Sequence, residues 1–183
     1  FHYCLITDKN YINSTVCLID KILTKKIHIL CLDQYSENFF NKNFNYLSIF
    51  RLVDVEQKFN LQEIKKKRSK RSSVFTLKSF FLDYVSEYVN DNEHLIYLDS
   101  DLFFFSKNEV FEKNLTFSSV HITPHNFDRR NNFRKIYGNY NAGIVIFKKS
   151  FEGKKVLDWW KEKCFENCSL NVSDKIYSDQ KYL

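Results

Sequence analysis

Apolar and polar positions alternate along the first third of the chain in short blocks of changing period. Tyr3 to Thr7 is a compact apolar run bounded by polar residues, which predicts a strand. From Ile12 to Leu23 the apolar residues Ile12, Val16, Ile19 and Leu23 fall three or four apart, which predicts a helix with Asn13 or Ser14 near its start as a cap. Ile27 to Leu32 reads as a second strand, and the polar, aromatic stretch through Phe44 as a helix. Leu47 to Val53 reads as a third strand. This βαβαβ order predicts an α/β fold: a mainly parallel central sheet with helices on both faces.

The pattern continues beyond a basic run at residues 65–71. Val74 to Val89 carries Leu77, Phe81, Tyr84, Val85 and Tyr88 at helical spacing. Leu95 to Leu98 is a buried-type strand, too short to span a membrane. Val120 to Thr123 predicts another strand, followed by Pro124-His125-Asn126-Phe127 and a polar loop to Arg134. Ile144 to Phe147 predicts a strand, and Phe151 to Phe165 a helix containing Trp159-Trp160, one for the core and one for a site or domain edge. Linkers and internal repeats are absent from the sequence, so residues 1–183 read as a single domain.

Composition sharpens this picture modestly. The 183 residues include 19 Phe and 11 Tyr but only three Gly and one Pro, which excludes a linker or low-complexity chain. There is no Met, and the chain opens directly in strand-like sequence and stops abruptly, as a fragment of a longer protein would. The net charge is +6, and Lys65-Lys66-Lys67-Arg68-Ser69-Lys70-Arg71 holds six bases in seven residues. Such a run is a solvated loop or helix end, or a patch facing phosphate or a membrane. No zinc-finger or RNA-binding signature accompanies it, so nucleic acid is not an expected partner. Cys4 and Cys31 sit in apolar runs, as small core residues do. Cys164 and Cys168 are four apart without a matching metal-spaced pair. The odd cysteine count, without a secretory segment, fits a reducing, cytoplasmic setting. Sequons at Asn13, Asn114, Asn167 and Asn171 are what a chain this rich in Asn contains by chance.

The candidate chemistry centres on His94-Leu95-Ile96-Tyr97-Leu98-Asp99-Ser100-Asp101. A strand running into Asp-Ser-Asp places two carboxylates at its carboxyl end, the edge where open α/β sheets bind ligands. Burying two unpaired carboxylates is costly, and a divalent cation on a phosphorylated ligand relieves that cost. A strand-end turn is the structural alternative, since Asp and Ser also populate turns. After the first strand stands Asp8-Lys9-Asn10-Tyr11 and not a glycine-rich loop, which argues against a dinucleotide fingerprint or P-loop.

Six motifs together carry a resemblance: Asp8-Lys9-Asn10-Tyr11, Tyr97-Leu98-Asp99-Ser100-Asp101, Ile122-Thr123-Pro124-His125, Asn139-Tyr140-Asn141-Ala142-Gly143, Trp159-Trp160-Lys161-Glu162-Lys163-Cys164 and Asp179-Gln180-Lys181-Tyr182-Leu183. In this order, over nearly the whole chain, they resemble the GT-A glycosyltransferases of the nucleotide-diphospho-sugar transferase superfamily. The chain is similar to retaining family 8-type bacterial sugar transferases and resembles a group of uncharacterised bacterial sugar transferases found near surface-polysaccharide genes. The resemblance implies that Asp99 and Asp101 hold Mn²⁺ or Mg²⁺ against the diphosphate of a nucleotide-sugar donor, UDP-sugars being the commonest. It implies nucleotide contacts from Thr7, Asp8, Asn10, Tyr11 and Ser100, with Tyr11 stacked on the base. Asn141, Ala142, Gly143, Gln180 and His125 would contact donor sugar or acceptor, and Asp179 is the candidate catalytic carboxylate. Arg71 and Lys78 would reach the diphosphate. The acceptor implied is a glycan or lipid-linked glycan of a cell surface, met in the cytoplasm or at the inner membrane face. Such enzymes take a third metal ligand, a His, from further downstream, so the chain is expected to lack that part of the site. A sugar nucleotidyltransferase of related fold, or a non-catalytic phosphate- or glycan-binding module, stays open as an alternative.

Overall fold

The structure, a computed structural model, describes residues 1–23, 26–106, 112, 113, 115, 118–170 and 178–183. Six strands form one sheet: β1 (His2–Thr7), β2 (Ile27–Cys31), β3 (Ser48–Arg51), β4 (His94–Asp99), β5 (Val120–Pro124) and β6 (Tyr140–Lys148). Their order is β3-β2-β1-β4-β6-β5. The pairs β1–β2, β1–β4 and β2–β3 are parallel, while β6 runs antiparallel to both β4 and β5. The sheet is therefore mostly parallel, with β6 as the reversed strand.

Side-chain alternation divides the core in two. Cys4, Ile6, Leu95, Tyr97, Val145 and Phe147 point to one face, where they meet α5 (Lys70–Ser86) and a long C-terminal helix, α6 (Phe151–Glu166), through Phe81, Leu82, Val85 and Trp160. Tyr3, Leu5, Ile27, Ile29, Ile96 and Leu98 point to the other, against α1 (Ile12–Ile19) and α2 (Gln34–Asn43) through Leu18, Ile19 and Phe40. Burying both faces is why these strands read as continuous apolar runs. Asp33 caps α2, Ser69 caps α5 and Ser150 caps α6, each accepting a hydrogen bond from a backbone N–H of the first turn.

Several element boundaries move. The helix from Ile12 ends at Ile19, and Ile22 stays buried in a following turn closed by Lys21 N–H to Leu18 O and Ile22 N–H to Ile19 O. The third strand stops at Arg51, because Leu52 opens α3 (Leu52–Lys58), where the Arg51 guanidinium pairs with Asp54 in the first turn. A further short helix, α4 (Gln62–Lys67), was not expected. The last strand begins at Tyr140, so Asn141-Ala142-Gly143 lies within β6 and not before it.

The basic run divides into parts with different surroundings. Lys65, Lys66 and Lys67 close the exposed last turn of α4, where cations suit the helix dipole. Arg68 donates to Cys164 O, Phe165 O and Thr76 Oγ1, joining the end of α6 to α5. Lys70 and Arg71 open α5 and face the carboxyl edge of the sheet. All five cysteines are free; only Cys17 is exposed, and Cys168 lies just beyond the end of α6. Asn114 and Asn171 lie outside the described residues. Among the described residues, no helix is long and apolar enough to cross a membrane.

Candidate active site

The chain leaves β1 toward β2 on one side, and β4 returns on the other side of β1. The crevice outside the carboxyl ends of β1 and β4 is thus a topological switch point, where open α/β sheets bind ligands. A cleft of about 780 Å³ opens there. Thr7, Asp8 and Tyr11 line it from the end of β1, and Asp99, Ser100 and Asp101 from the end of β4. Asn141, Ala142 and Gly143 join from β6, Asp179 and Gln180 from the C-terminal turn, and Lys70, Arg71 and Lys78 from α5.

At its floor, one buried ammonium faces two carboxylates. Lys78 Nζ lies 3.0 Å from Asp99 Oδ1 and 3.3 Å from Asp179 Oδ2. It also donates to Ala142 O at 3.3 Å, and Tyr97 donates its hydroxyl to Asp99 Oδ1 at 2.9 Å. The Lys78 and Asp179 side chains are 4% and 2% exposed, whereas that of Asp99 is 34% exposed. Lys78 meets the buried Asp179 Oδ2 as an ion pair at the long end of hydrogen-bond distance. Burial alone would lower the Lys78 pKa, but Asp179 and Asp99 outweigh it and raise it. Burial raises the Asp179 carboxyl above the usual range, Lys78 pulls it down, and Asp99 adds to the rise. A single cation thus compensates two carboxylates incompletely, and the enclosed one bears the larger penalty.

Two glycines let backbone pack against these groups. A Cβ on Gly143 would stand 2.7 Å from Asn141 Oδ1 and 3.2 Å from Asp99 Oδ2. Gly138 has a φ of 132°, and a Cβ there would stand 3.1 Å from Gln180 O. Gln180 donates its amide to Tyr137 O, and Lys181 Nζ donates to Ile136 O. Trp160, on the buried face of α6, donates its indole N–H to Asp179 O at 3.0 Å. Ser178, at φ 53°, holds the turn in a left-handed conformation uncommon for a residue with a side chain. The Asp179-Gln180 turn is thereby fixed between α6 and the 3-10 helix Asn132–Tyr137.

At the other end of the cleft, Asp8 Oδ1 accepts the Asn10 N–H, and Lys70 Nζ reaches Asp8 Oδ2 at 3.2 Å. Tyr11 is 46% exposed and lines the cleft. Two residues expected here lie elsewhere. Asn10 is exposed and does not line the cleft, and His125 lines a neighbouring depression with Phe127 and Gln180. Lys70, Tyr97, Phe75 and Ser178 belong to the site without having been anticipated. Lys70 was lost in its charge run, and Tyr97 looked like ordinary strand interior.

The donor set fits a hard divalent cation. Lys78 and Tyr97 contact Asp99 through Oδ1, its side chain is one-third exposed, and Asp101 is exposed at the cleft. Carboxylate oxygens suit Mg²⁺ or Mn²⁺, and Mg²⁺ commonly takes one or two of them plus phosphate and water. Among the described residues, no group of three His, Cys, Asp or Glu side chains forms a complete protein cage.

Glycosyltransferases are among the solved structures that share this architecture. Mouse xyloside xylosyltransferase 1 in its apo form superposes with a TM-score of 0.57 at 13% identity, covering 100% of this chain and 79% of that one. An active-site mutant of LgtC gives a TM-score of 0.57 at 12% identity, covering 100% of this chain and 68% of that one. The apo form of the glycosyltransferase GlyE of Streptococcus pneumoniae TIGR4 gives 0.54 at 13%, covering 99% and 41%. The fold is that of the GT-A glycosyltransferases. By sequence, the GT-A chain is 26% identical over 193 residues to the uncharacterized protein YfnF of Bacillus subtilis (strain 168), covering 99% of this chain and 63% of that protein. It is 27% identical over 192 residues to the uncharacterized protein YfnD of the same strain, covering 100% and 61%. The chain thus spans about three fifths of the length of these relatives. No protein-family model matches it.

Proposed function

We propose that the protein is a metal-dependent glycosyltransferase that moves a sugar from a nucleotide-diphosphate donor to a glycan or lipid-linked acceptor. The observation that carries this reading is the cleft itself. On a GT-A scaffold, at the switch point of the sheet, it places an aromatic ring, a carboxylate pair, three cations and a polar turn along one groove. Tyr11 stacks on the base of the donor, and Thr7, Asp8 and Ser100 fix its nucleoside end. Lys70 and Arg71 face the diphosphate from the first turn of α5, where the helix dipole also favours anions. Asp99 and Asp101 would hold Mn²⁺ or Mg²⁺, which supplies Lewis-acid stabilisation of the leaving nucleoside diphosphate.

Lys78 pairs with Asp99 and adds positive charge beneath the site of bond cleavage. Asp179 and Gln180 stand with Asn141 where the donor sugar enters. A carboxylate close to an oxocarbenium-like centre stabilises it, and polar groups around it hold the sugar hydroxyls. Retention of anomeric configuration and UDP as the nucleotide follow from the motif resemblance. So do a role in surface polysaccharide synthesis and a cytoplasmic or inner-membrane-face location. The test is a panel of UDP- and GDP-sugars with Mn²⁺ or Mg²⁺, read by release of nucleoside diphosphate. We expect at least one donor to turn over in wild type and none in D99N/D101N. No release from any donor, or equal release by the double variant, contradicts the reading.

A further inference from the structure

Beside the donor cleft lies a second depression, of about 290 Å³, lined by His125, Phe127, Phe133, Arg134, Tyr137 and Gln180. Gln180 lines both, so the two hollows meet at the turn that carries Asp179. The wall is aromatic: His125 stacks on Phe127 with ring centroids 4.5 Å apart and planes 15° apart. Phe133 is 64% exposed, and the Arg134 guanidinium lies 5.9 Å from its ring centroid. His125 Nε2 is buried without a hydrogen-bond partner.

Charge distinguishes this depression from an ordinary aromatic groove. Arg129, Arg130, Arg134 and Lys135 crowd one short segment, all exposed. Asp128, the acid among them, accepts from the N–H and side-chain amide of Asn131. Among the described residues, no carboxylate pairs with any of the four cations. Gln180 and Lys181 anchor the segment to the Asp179 turn through the carbonyls of Tyr137 and Ile136, so its cations stay beside the donor cleft.

We propose that this depression is the acceptor subsite and that it takes a sugar carrying a negatively charged substituent, a carboxylate or a phosphate. The proposal rests on the transferase reading above for the word acceptor; the anionic-sugar site itself does not. Aromatic faces pack against the C–H face of a pyranose, while the polar rims of the same residues hydrogen-bond its hydroxyls. Arg134, held over Phe133, presents its planar donor fork to the anion, a geometry suited to carboxylate and phosphate. The other three cations add to the local positive field. The same exposed cations and rings would also touch an anionic membrane. The concave shape and its continuity with the donor cleft at Gln180 favour a sugar.

Binding of methyl β-D-glucuronide, α-D-glucose 1-phosphate and neutral methyl β-D-glucoside, measured by ligand-observed NMR titration, tests the proposal. In wild type both anionic sugars should bind at least ~5-fold more tightly than the glucoside, the scale of one charge-assisted contact. Arg134→Ala should reduce that preference below about twofold, and Phe133→Ala should weaken all three sugars. Both residues are exposed, so unchanged melting temperatures are expected and serve as the folding control. No anionic preference in wild type, or one that survives Arg134→Ala, overturns the proposal. Loss of binding to phosphatidylglycerol-containing vesicles in Arg134→Ala, with sugar binding unaltered, also overturns it and assigns the patch to a membrane. Parallel UDP and GDP titrations with Mn²⁺ separate the two readings. Binding of either nucleotide without an anionic preference removes this subsite alone, whereas an anionic preference with neither nucleotide bound removes the transferase reading and leaves an anionic-sugar site.

Discussion

Replacing Lys78 with Met removes the buried cation at the floor of the cleft while keeping most of its apolar stem. Nζ lies 3.0 Å and 3.3 Å from the Asp99 and Asp179 carboxylates. At an effective dielectric of about 20, each contact represents roughly 5 kcal/mol of gross attraction. The Asp99 share is reduced by solvent, because that side chain is about one-third exposed. Desolvation of the three groups offsets much of the remainder. Removing one member of a buried ion cluster typically costs ~3–5 kcal/mol, since a charge is left uncompensated. For a chain of this size that corresponds to a fall of ~6–20 °C in melting temperature. The pH dependence has a definite sign. Asp179 already has a raised pKa, from burial first, and loss of Lys78 raises it further. An acid with a folded pKa above its unfolded value stabilises at low pH and loses that stability as pH rises through the folded value. The defect of Lys78→Met should therefore be small near pH 4 and large at pH 7.5, and Asp179→Asn on top of it should restore part of the loss. Urea denaturation from pH 4 to 7.5 measures this. A variant within ~1 kcal/mol of wild type at pH 7.5, or a defect independent of pH, refutes the buried cluster.

Further outcomes follow from other residues. Tyr11→Ala should weaken UDP binding by ~1–3 kcal/mol, the range for loss of one aromatic–base stack; calorimetric titration checks it. Gly143→Ala should weaken Mn²⁺-dependent nucleotide binding about tenfold or more, because its Cβ displaces Asn141 and crowds Asp99. Its circular dichroism should stay that of wild type. At the amino edge of the sheet, His2 Nδ1 and His28 Nε2 lie 2.9 Å apart, and His2 Nε2 meets Glu93. Burial, followed by His2 and Lys26, depresses the His28 pKa to about 4. A buried neutral histidine stabilises above its unfolded pKa, so wild type should lose about 3 kcal/mol as pH falls from about 6.5 toward 4. His28→Leu should flatten that slope in urea titrations; an unchanged slope would place the titration elsewhere.

Local patterning made the fold legible, because strands buried on both faces and amphipathic helices leave strong signals. Tyr3-Cys4-Leu5-Ile6 and Leu95-Ile96-Tyr97-Leu98 are apolar throughout, and the order of elements dictated parallel pairing. The ends of elements were less visible. Arg51 and Asp54 start a helix inside an apolar run, and only their pairing in three dimensions reveals it. The reversal of β6 is likewise a property of topology and not of any residue within it. At the site, Asp99-Ser100-Asp101 stood out as polar residues after an apolar strand, whereas Asp179-Gln180 was marked only by the motif resemblance. Their meeting through Lys78 could not be read from spacing, since 21 positions separate Lys78 from Asp99 and 101 separate it from Asp179. His125 was expected at the donor sugar or the acceptor; its ring stacks on Phe127 in the depression adjoining the donor cleft.

The most direct measurement is UDP and GDP binding by calorimetry, with and without Mn²⁺, in wild type and in D99N/D101N. If the carboxyl edge of β1 and β4 is a metal-assisted nucleotide-diphosphate site, wild type binds at least one nucleotide much more tightly with Mn²⁺, and the double variant loses that gain. Equal binding by both proteins, whether or not metal is present, would show that Asp99 and Asp101 do not hold the donor.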